Sequence, residues 1–214
     1  MSVTLDDITR YRIIPVVVLN DAAKASGLGD ALVAGGLPIA EVTFRTAAAA
    51  ESIRTLAKRD DLTVGAGTVR SVAQVEQAVD AGAKFVVSPG LSADIVQRAQ
   101  QLGVPVLPGA VTPTEIMRAQ ELGLHTVKFF PANVYGGAAA IKSLWGPFGD
   151  MKFIPTGGVN AANLGEFLAL PCIPAIGGSW MVPAKAIDQG DFIKVEGLAR
   201  EAIELVAELT GGNY

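Results

Sequence analysis

The chain has 214 residues, half of them hydrophobic and only 6% aromatic, with a formal net charge of −4 at pH 7. That length suits one globular domain, residues 1–214 with the folded body at about 13–210, better than two. A pI near 5.0 leaves no basic stripe to neutralise phosphates, which argues against a nucleic-acid or acidic-membrane surface and for small-molecule partners. No apolar run reaches the ~18 residues of a membrane span, and residues 1–12 (MSVTLDDITRYR) show neither the basic start nor the apolar stretch of a signal peptide. The expected location is therefore the cytoplasm, and the lone cysteine, Cys172, agrees with a reducing compartment.

Apolar, β-branched runs recur at 13–19, 39–44, 62–66, 85–88, 104–107, 126–130, 153–156 and 175–178. Their centres step by about 20 to 27 residues, the length of a strand, a helix and two short turns, which implies parallel strands. Helix-like stretches fill the gaps, among them 72–81, 92–102 and 114–122, and Gly82, Gly103 and Gly123 follow these three as C-terminal caps prefer. Eight such units predict a single-domain α/β chain closed into a (β/α)8 TIM barrel. The alternative, an open doubly wound sheet, usually carries a glycine-rich dinucleotide turn after the first strand, and IIPVVVLND has none.

Barrels of this kind hold their chemistry where strands end. Those positions carry Glu41 and Arg45 on the second run, Thr68 after the third, Ser88 and Pro89 on the fourth, Pro108 and Gly109 after the fifth, and Lys128 in the sixth. Lys128 lies inside HTVKFFP, where a lysine is partly stripped of water. It is the candidate Schiff-base former: attack on a ketone gives an iminium that withdraws electrons from the adjacent carbon. The plainer reading has Lys128 turned to solvent or paired with a carboxylate. Lys84 and Lys152, by comparison, stand at the N-terminal ends of their runs, where solvent is easily reached.

Glu41, in IAEVTFRT, is the matching carboxylate for general acid–base work. Its bland alternative is an ion pair with Arg45, which could equally bind a substrate carboxylate through its two-pronged guanidinium. The runs at 153–156 and 175–178 lead into TGG (Thr156, Gly157, Gly158) and GGS (Gly177, Gly178, Ser179), turns suited to holding phosphate on backbone amides, with a helix after Ser179 adding its positive end. A single histidine, His125, argues against a zinc site and Ser/His/Asp hydrolysis. It reads as structural, and Trp145 and Trp180 read as packing, with Trp180 closer to the site.

Taken together, EVTFRT, GAGTV, SPG, KFFPA, PTGGV and IGGSW resemble the KDPG/KHG aldolase family, the 2-keto-3-deoxy-6-phosphogluconate and 4-hydroxy-2-oxoglutarate aldolases, in family order from about Pro15 to Ala184. The resemblance implies a Schiff base between Lys128 and pyruvate or the keto acid, with Glu41 moving protons through water and no metal or organic cofactor. It implies that Arg45 and Thr68 hold the pyruvate carboxylate, that Pro89, Phe130 and Thr156 line the pocket, and that Gly157, Gly158, Gly178 and Ser179 take the phosphate. It also implies a homotrimer acting on a phosphorylated keto acid. The chain departs from the family pattern after the first run, where Val18, Leu19 and Asn20 stand in place of an early basic residue and Lys24 comes only farther on. Two other functions remain open on the residues alone: a sugar-phosphate isomerase with Glu41 as base, and a phosphometabolite-binding subunit with a structural lysine.

Overall fold

Eight parallel strands alternate with helices through the computed structural model, which describes residues 3–212. The extreme ends of the expected domain lie outside the described residues. After α1 (Leu5–Thr9) the order is β1 (Ile13–Val17), α2 (Ala25–Ala34), β2 (Ile39–Thr43), α3 (Ala49–Leu56), β3 (Thr63–Gly67) and α4 (Val72–Asp80). It continues with β4 (Val86–Val87), α5 (Ala93–Gln101), β5 (Val106–Leu107), α6 (Pro113–Glu121), β6 (Thr126–Phe129) and α7 (Gly137–Trp145). Last come β7 (Lys152–Pro155), α8 (Leu164–Leu168), β8 (Ile176–Gly178), α9 (Ala184–Gln189) and α10 (Phe192–Thr210).

The strands are short, and most of their residues are buried because the sheet is covered on both faces; β2 is buried at all five positions. Helix starts follow ordinary capping chemistry. The Ser71 hydroxyl accepts from the Gln74 amide ahead of α4, and Thr112 and Glu115 cap each other's backbone ahead of α6, where Pro113 opens the helix. Gly82, Gly103 and Gly123 adopt φ of 98°, 71° and 76°, the left-handed conformation that stops a helix and returns the chain to the next strand.

Six strands form a continuous ladder in the order β5-β4-β3-β2-β1-β8, and β6 and β7 pair separately. Two isolated bridges, Gly109 with Lys128 and Thr156 with Gly177, join the pair to the rest and close the ring in sequence order. The expected eight-strand barrel is thus present in strand number and order, but with two thin seams. Proline explains part of the thinness: Pro105 and Pro108 bracket β5 and offer no amide to a ladder. Expected run 104–107 shortens to Val106–Leu107 for the same reason. Both seams fall at residues of the candidate site.

Candidate active site

A cleft of two joined lobes opens at the carboxyl ends of the strands. The smaller, about 200 Å³, is lined by Val16, Glu41, Thr43, Arg45, Thr68, Pro89, Lys128, Phe130 and Thr156. The larger, about 450 Å³, shares Val16, Arg45, Phe130 and Thr156 and adds Gly157, Gly158, Gly178 and Ser179, together with Val18, Val159, Val182, Pro183 and Ala184. Lys128, Glu41, Arg45, Thr68, Pro89, Phe130, Thr156, Gly157, Gly158, Gly178 and Ser179 therefore all line one lobe or the other, whereas Ser88, Pro108, Gly109 and Gly177, also at strand ends, line neither.

β2 and β6 stand opposite each other in an eight-strand ring, so inward side chains from the two meet across the barrel axis. The Lys128 ammonium donates to Glu41 Oε1 at 3.1 Å, with side chains only 8% and 4% exposed. Attraction between opposite charges strengthens as water is excluded, and each ion offsets the cost of burying the other. The Phe130 ring, its centroid 5.4 Å from Nζ, adds a cation–π contact. Room for the carboxylate comes from β3: a Cβ at Gly67 would clash with Glu41 Oε1 and stand 2.6 Å from its Cγ. Gly65, two residues earlier on the same face, leaves space for the Phe85 ring in the same way.

The bland alternative for Glu41, an ion pair with Arg45, is not what forms. Four residues are one turn apart in a helix but roughly 13 Å apart in a strand, so Glu41 reaches across the barrel while Arg45 projects past the end of β2. Arg45 is exposed at the junction of the lobes and makes no ion pair among the described residues. Its planar fork is available to a carboxylate or phosphate entering from either side.

Thr68 has φ of 56°, a conformation that costs a β-branched residue on the order of 1–3 kcal/mol. Its neighbours hold it there: Gly67 O accepts from the Phe44 amide at 2.7 Å, and the Val69 amide donates to Val87 O at 3.1 Å. Strain held by the flanking ladder places this residue on the wall of the smaller lobe. Thr156 is 6% exposed, and a Cβ at Gly177 would clash with its hydroxyl oxygen. Gly157 and Gly158 both take left-handed conformations, φ 93° and 82°, in the turn after β7. Ser179 is exposed at the mouth, but the helix expected after it begins only at Ala184, beyond Pro183. Trp180 packs its ring over Gly178 without lining the cleft. His125 is exposed just before β6, with Nδ1 3.4 Å from Asp150, and Lys84 and Lys152 are exposed as expected.

The sequence reading missed Thr43, whose hydroxyl donates to Val17 O at 2.8 Å, and Val16, which sits in register with Glu41. Strand alternation could have found Thr43, since residues two apart share a face. Among the described residues no group of three or more His, Cys, Asp or Glu side chains is placed to hold a metal.

Fold and site together define a parallel α/β barrel with one lysine–carboxylate pair in a cleft at its strand ends. A family model described as KDPG and KHG aldolase matches residues 5–198, and the chain belongs to that family. It is 45% identical over 207 residues to the 2-dehydro-3-deoxy-phosphogluconate aldolase of Treponema pallidum, covering 96% of this chain and 99% of that one. The KDPG aldolase of Legionella pneumophila, solved with pyruvate captured at low pH as a covalent carbinolamine intermediate, superposes with a TM-score of 0.90 at 35% identity, covering 94% of this chain and 98% of that one. The 2-keto-3-deoxy-6-phosphogluconate aldolase of Zymomonas mobilis, solved with 3-phosphoglycerate, gives a TM-score of 0.86 at 40% identity over 93% and 96% of the two chains.

Proposed function

We propose that this protein is a class I aldolase that reversibly cleaves 2-keto-3-deoxy-6-phosphogluconate to pyruvate and glyceraldehyde 3-phosphate, with Lys128 as the nucleophile and Glu41 as the proton carrier. The observation that carries the reading is the 3.1 Å contact between their side chains inside the cleft. An amine attacks only after losing a proton, and Glu41 lies within hydrogen-bond reach to take it. Lys128 Nζ then adds to the C2 ketone to give a carbinolamine, whose hydroxyl leaves as water when Glu41 returns a proton to it. In the iminium that results, the C3–C4 bond breaks as Glu41, directly or through a water, takes the C4 hydroxyl proton. The bonding electrons flow to the iminium nitrogen, glyceraldehyde 3-phosphate departs, and an enamine of pyruvate remains. Protonation at C3 and hydrolysis by water release pyruvate and restore the lysine, so the cycle requires neither metal nor organic cofactor.

Arg45 and Thr68 are assigned to the keto-acid carboxylate, Pro89, Phe130 and Thr156 to the pocket wall, and Gly157, Gly158, Gly178 and Ser179 to the phosphate. The same chemistry serves 4-hydroxy-2-oxoglutarate or the galactonate epimer, choices decided by pocket contacts worth about 1–3 kcal/mol each. We assign the enzyme to the cytoplasm, where a phosphorylated sugar acid, which does not cross membranes unaided, is retained. We assign the whole chain to one folded unit, assembled as a homotrimer. Val134 and Tyr135, respectively 80% and 52% exposed, give the loop after β6 an apolar surface of the kind that a neighbouring subunit covers. Sedimentation velocity should find a species near 66 kDa, three times the 22.1 kDa chain; a monomer at micromolar concentration counts against the trimer.

The deciding experiment is incubation with pyruvate and borohydride, followed by peptide mapping. A stable adduct on Lys128, absent from a folded Lys128→Ala variant, is the expected result. With no adduct on the folded wild-type protein, the reading loses its central step.

A further inference from the structure

Three carboxamides converge on one backbone oxygen behind the turn that follows β7. Gly158 O accepts from Asn133 Nδ2 at 2.9 Å, from Asn163 Nδ2 at 3.0 Å and from Asn160 Nδ2 at 3.2 Å. A carbonyl oxygen has two lone pairs, so three donors on one acceptor are more than capping a turn requires. The carbonyl before it is held as well: Gly157 O accepts from the Asn133 amide at 3.1 Å. Asn133 comes from the loop after β6, and Asn160 and Asn163 come from the segment that leads into α8, so the turn is gripped from two sides. Gly158 is also fitted to this grip, since a Cβ there would lie 2.6 Å from Asn133 Nδ2.

We propose that Asn133, Asn160 and Asn163 are positioning residues for the anion-binding end of the cleft. In a planar trans peptide the carbonyl and the following N–H point in opposite directions. With the Gly157 and Gly158 carbonyls drawn toward the asparagines, the amides of Gly158 and Val159 are turned the other way, and both residues line the larger lobe. Two glycines in left-handed conformations, φ 93° and 82°, can otherwise flip their peptides at little cost, and a flip would present carbonyl oxygens to a phosphate. No asparagine of the three lines the cleft, so each acts through the turn.

This inference rests on the reading that the phosphate occupies the glycine turns, and its test separates the two. The folded variants Asn133→Ala, Asn163→Ala and their double are assayed on 2-keto-3-deoxy-6-phosphogluconate and on the same keto acid without its phosphate. A further variant, Asn160→Asp, keeps the Oδ1 that accepts from the Ala162 amide and replaces the donor to Gly158 with a carboxylate oxygen, which also adds a negative charge. Expected is a rise in KM of about tenfold or more for the phosphorylated substrate in the double variant, and a smaller rise in Asn160→Asp. Values of kcat should stay within about twofold, with kcat/KM for the unphosphorylated acid and the pyruvate–borohydride adduct on Lys128 unchanged. An unchanged KM for the phosphorylated substrate overturns the positioning role. So does a parallel loss on both substrates together with a lowered melting temperature, which would mark the asparagines as merely structural. If the wild-type protein itself does not distinguish the two acids, the phosphate reading has failed first and the positioning role falls with it.

Discussion

A hydrogen atom where other residues carry a methyl group lets Glu41 reach Lys128. Gly67 sits in β3 with an ordinary strand conformation, so alanine is compatible with its backbone, but the new Cβ would occupy the space of the carboxylate. Gly67→Ala should therefore fold and lose activity, because the displaced carboxylate no longer lies 3.1 Å from Nζ. Correctly placed acid–base groups contribute about 10²–10⁴-fold, and kcat should fall by roughly 10²-fold at the low end of that range. Glu41→Gln should cost as much or more. Combining the two should add little to Glu41→Gln alone, since both remove the same function, and a double-mutant cycle on kcat measures that coupling. Additive losses would mean that Gly67 serves something other than Glu41. Full activity in Gly67→Ala would show that the carboxylate need not stand where it does.

At the scale of elements, the strands were legible because a parallel sheet covered on both faces writes itself as short continuous apolar runs. All eight appear, and the helices α4, α5 and α6 lie within a residue or so of the ranges their caps suggested. Strand ends were less legible. Whether Val104 belongs to a ladder depends on the prolines beside it and on what the neighbouring strand offers, and hydrophobicity records neither. The two seams, Gly109 with Lys128 and Thr156 with Gly177, were invisible for the same reason. Lys128 could be found because a lysine inside an apolar strand is anomalous in one dimension. Its partner was harder: Glu41 is 87 residues away, and the nearby Arg45 offered a competing pair that only strand geometry rules out. The carboxamides on Gly158 left no trace at all, since a polar side chain bound to a backbone oxygen 25 residues away has no periodic signature.

Over the whole molecule, groups far from the cleft add a pH dependence to the stability of the barrel. The Arg59 guanidinium grips Asp61 with two bonds of 2.9 Å and holds its carboxyl below the ordinary 3.8. The hydroxyl and backbone amide of Thr4, at the cap of α1, do the same for Asp7. A carboxyl depressed by folding contributes stability that is complete above 3.8 and is lost as pH falls toward and through the folded value. Cys172 acts at the other end. Burial pushes its thiol above the ordinary 9.0, against smaller opposing effects of a backbone hydrogen bond and Lys152. That contribution is complete below 9.0 and is lost as pH climbs from there through the raised value. Urea midpoints should therefore be flat between about pH 5 and 8 and fall on both sides. Asp61→Asn should make the acid limb shallower and leave the alkaline one unchanged, and Cys172→Ala should flatten the alkaline limb and leave the acid one unchanged. The same burial should keep Cys172 from reacting with a thiol reagent at pH 8 until the chain opens, so labelling ought to follow unfolding by fluorescence in rising urea. Rapid labelling of the folded protein would contradict the burial on which the alkaline limb depends, and an acid limb unchanged in Asp61→Asn would remove the Arg59 pair from the account.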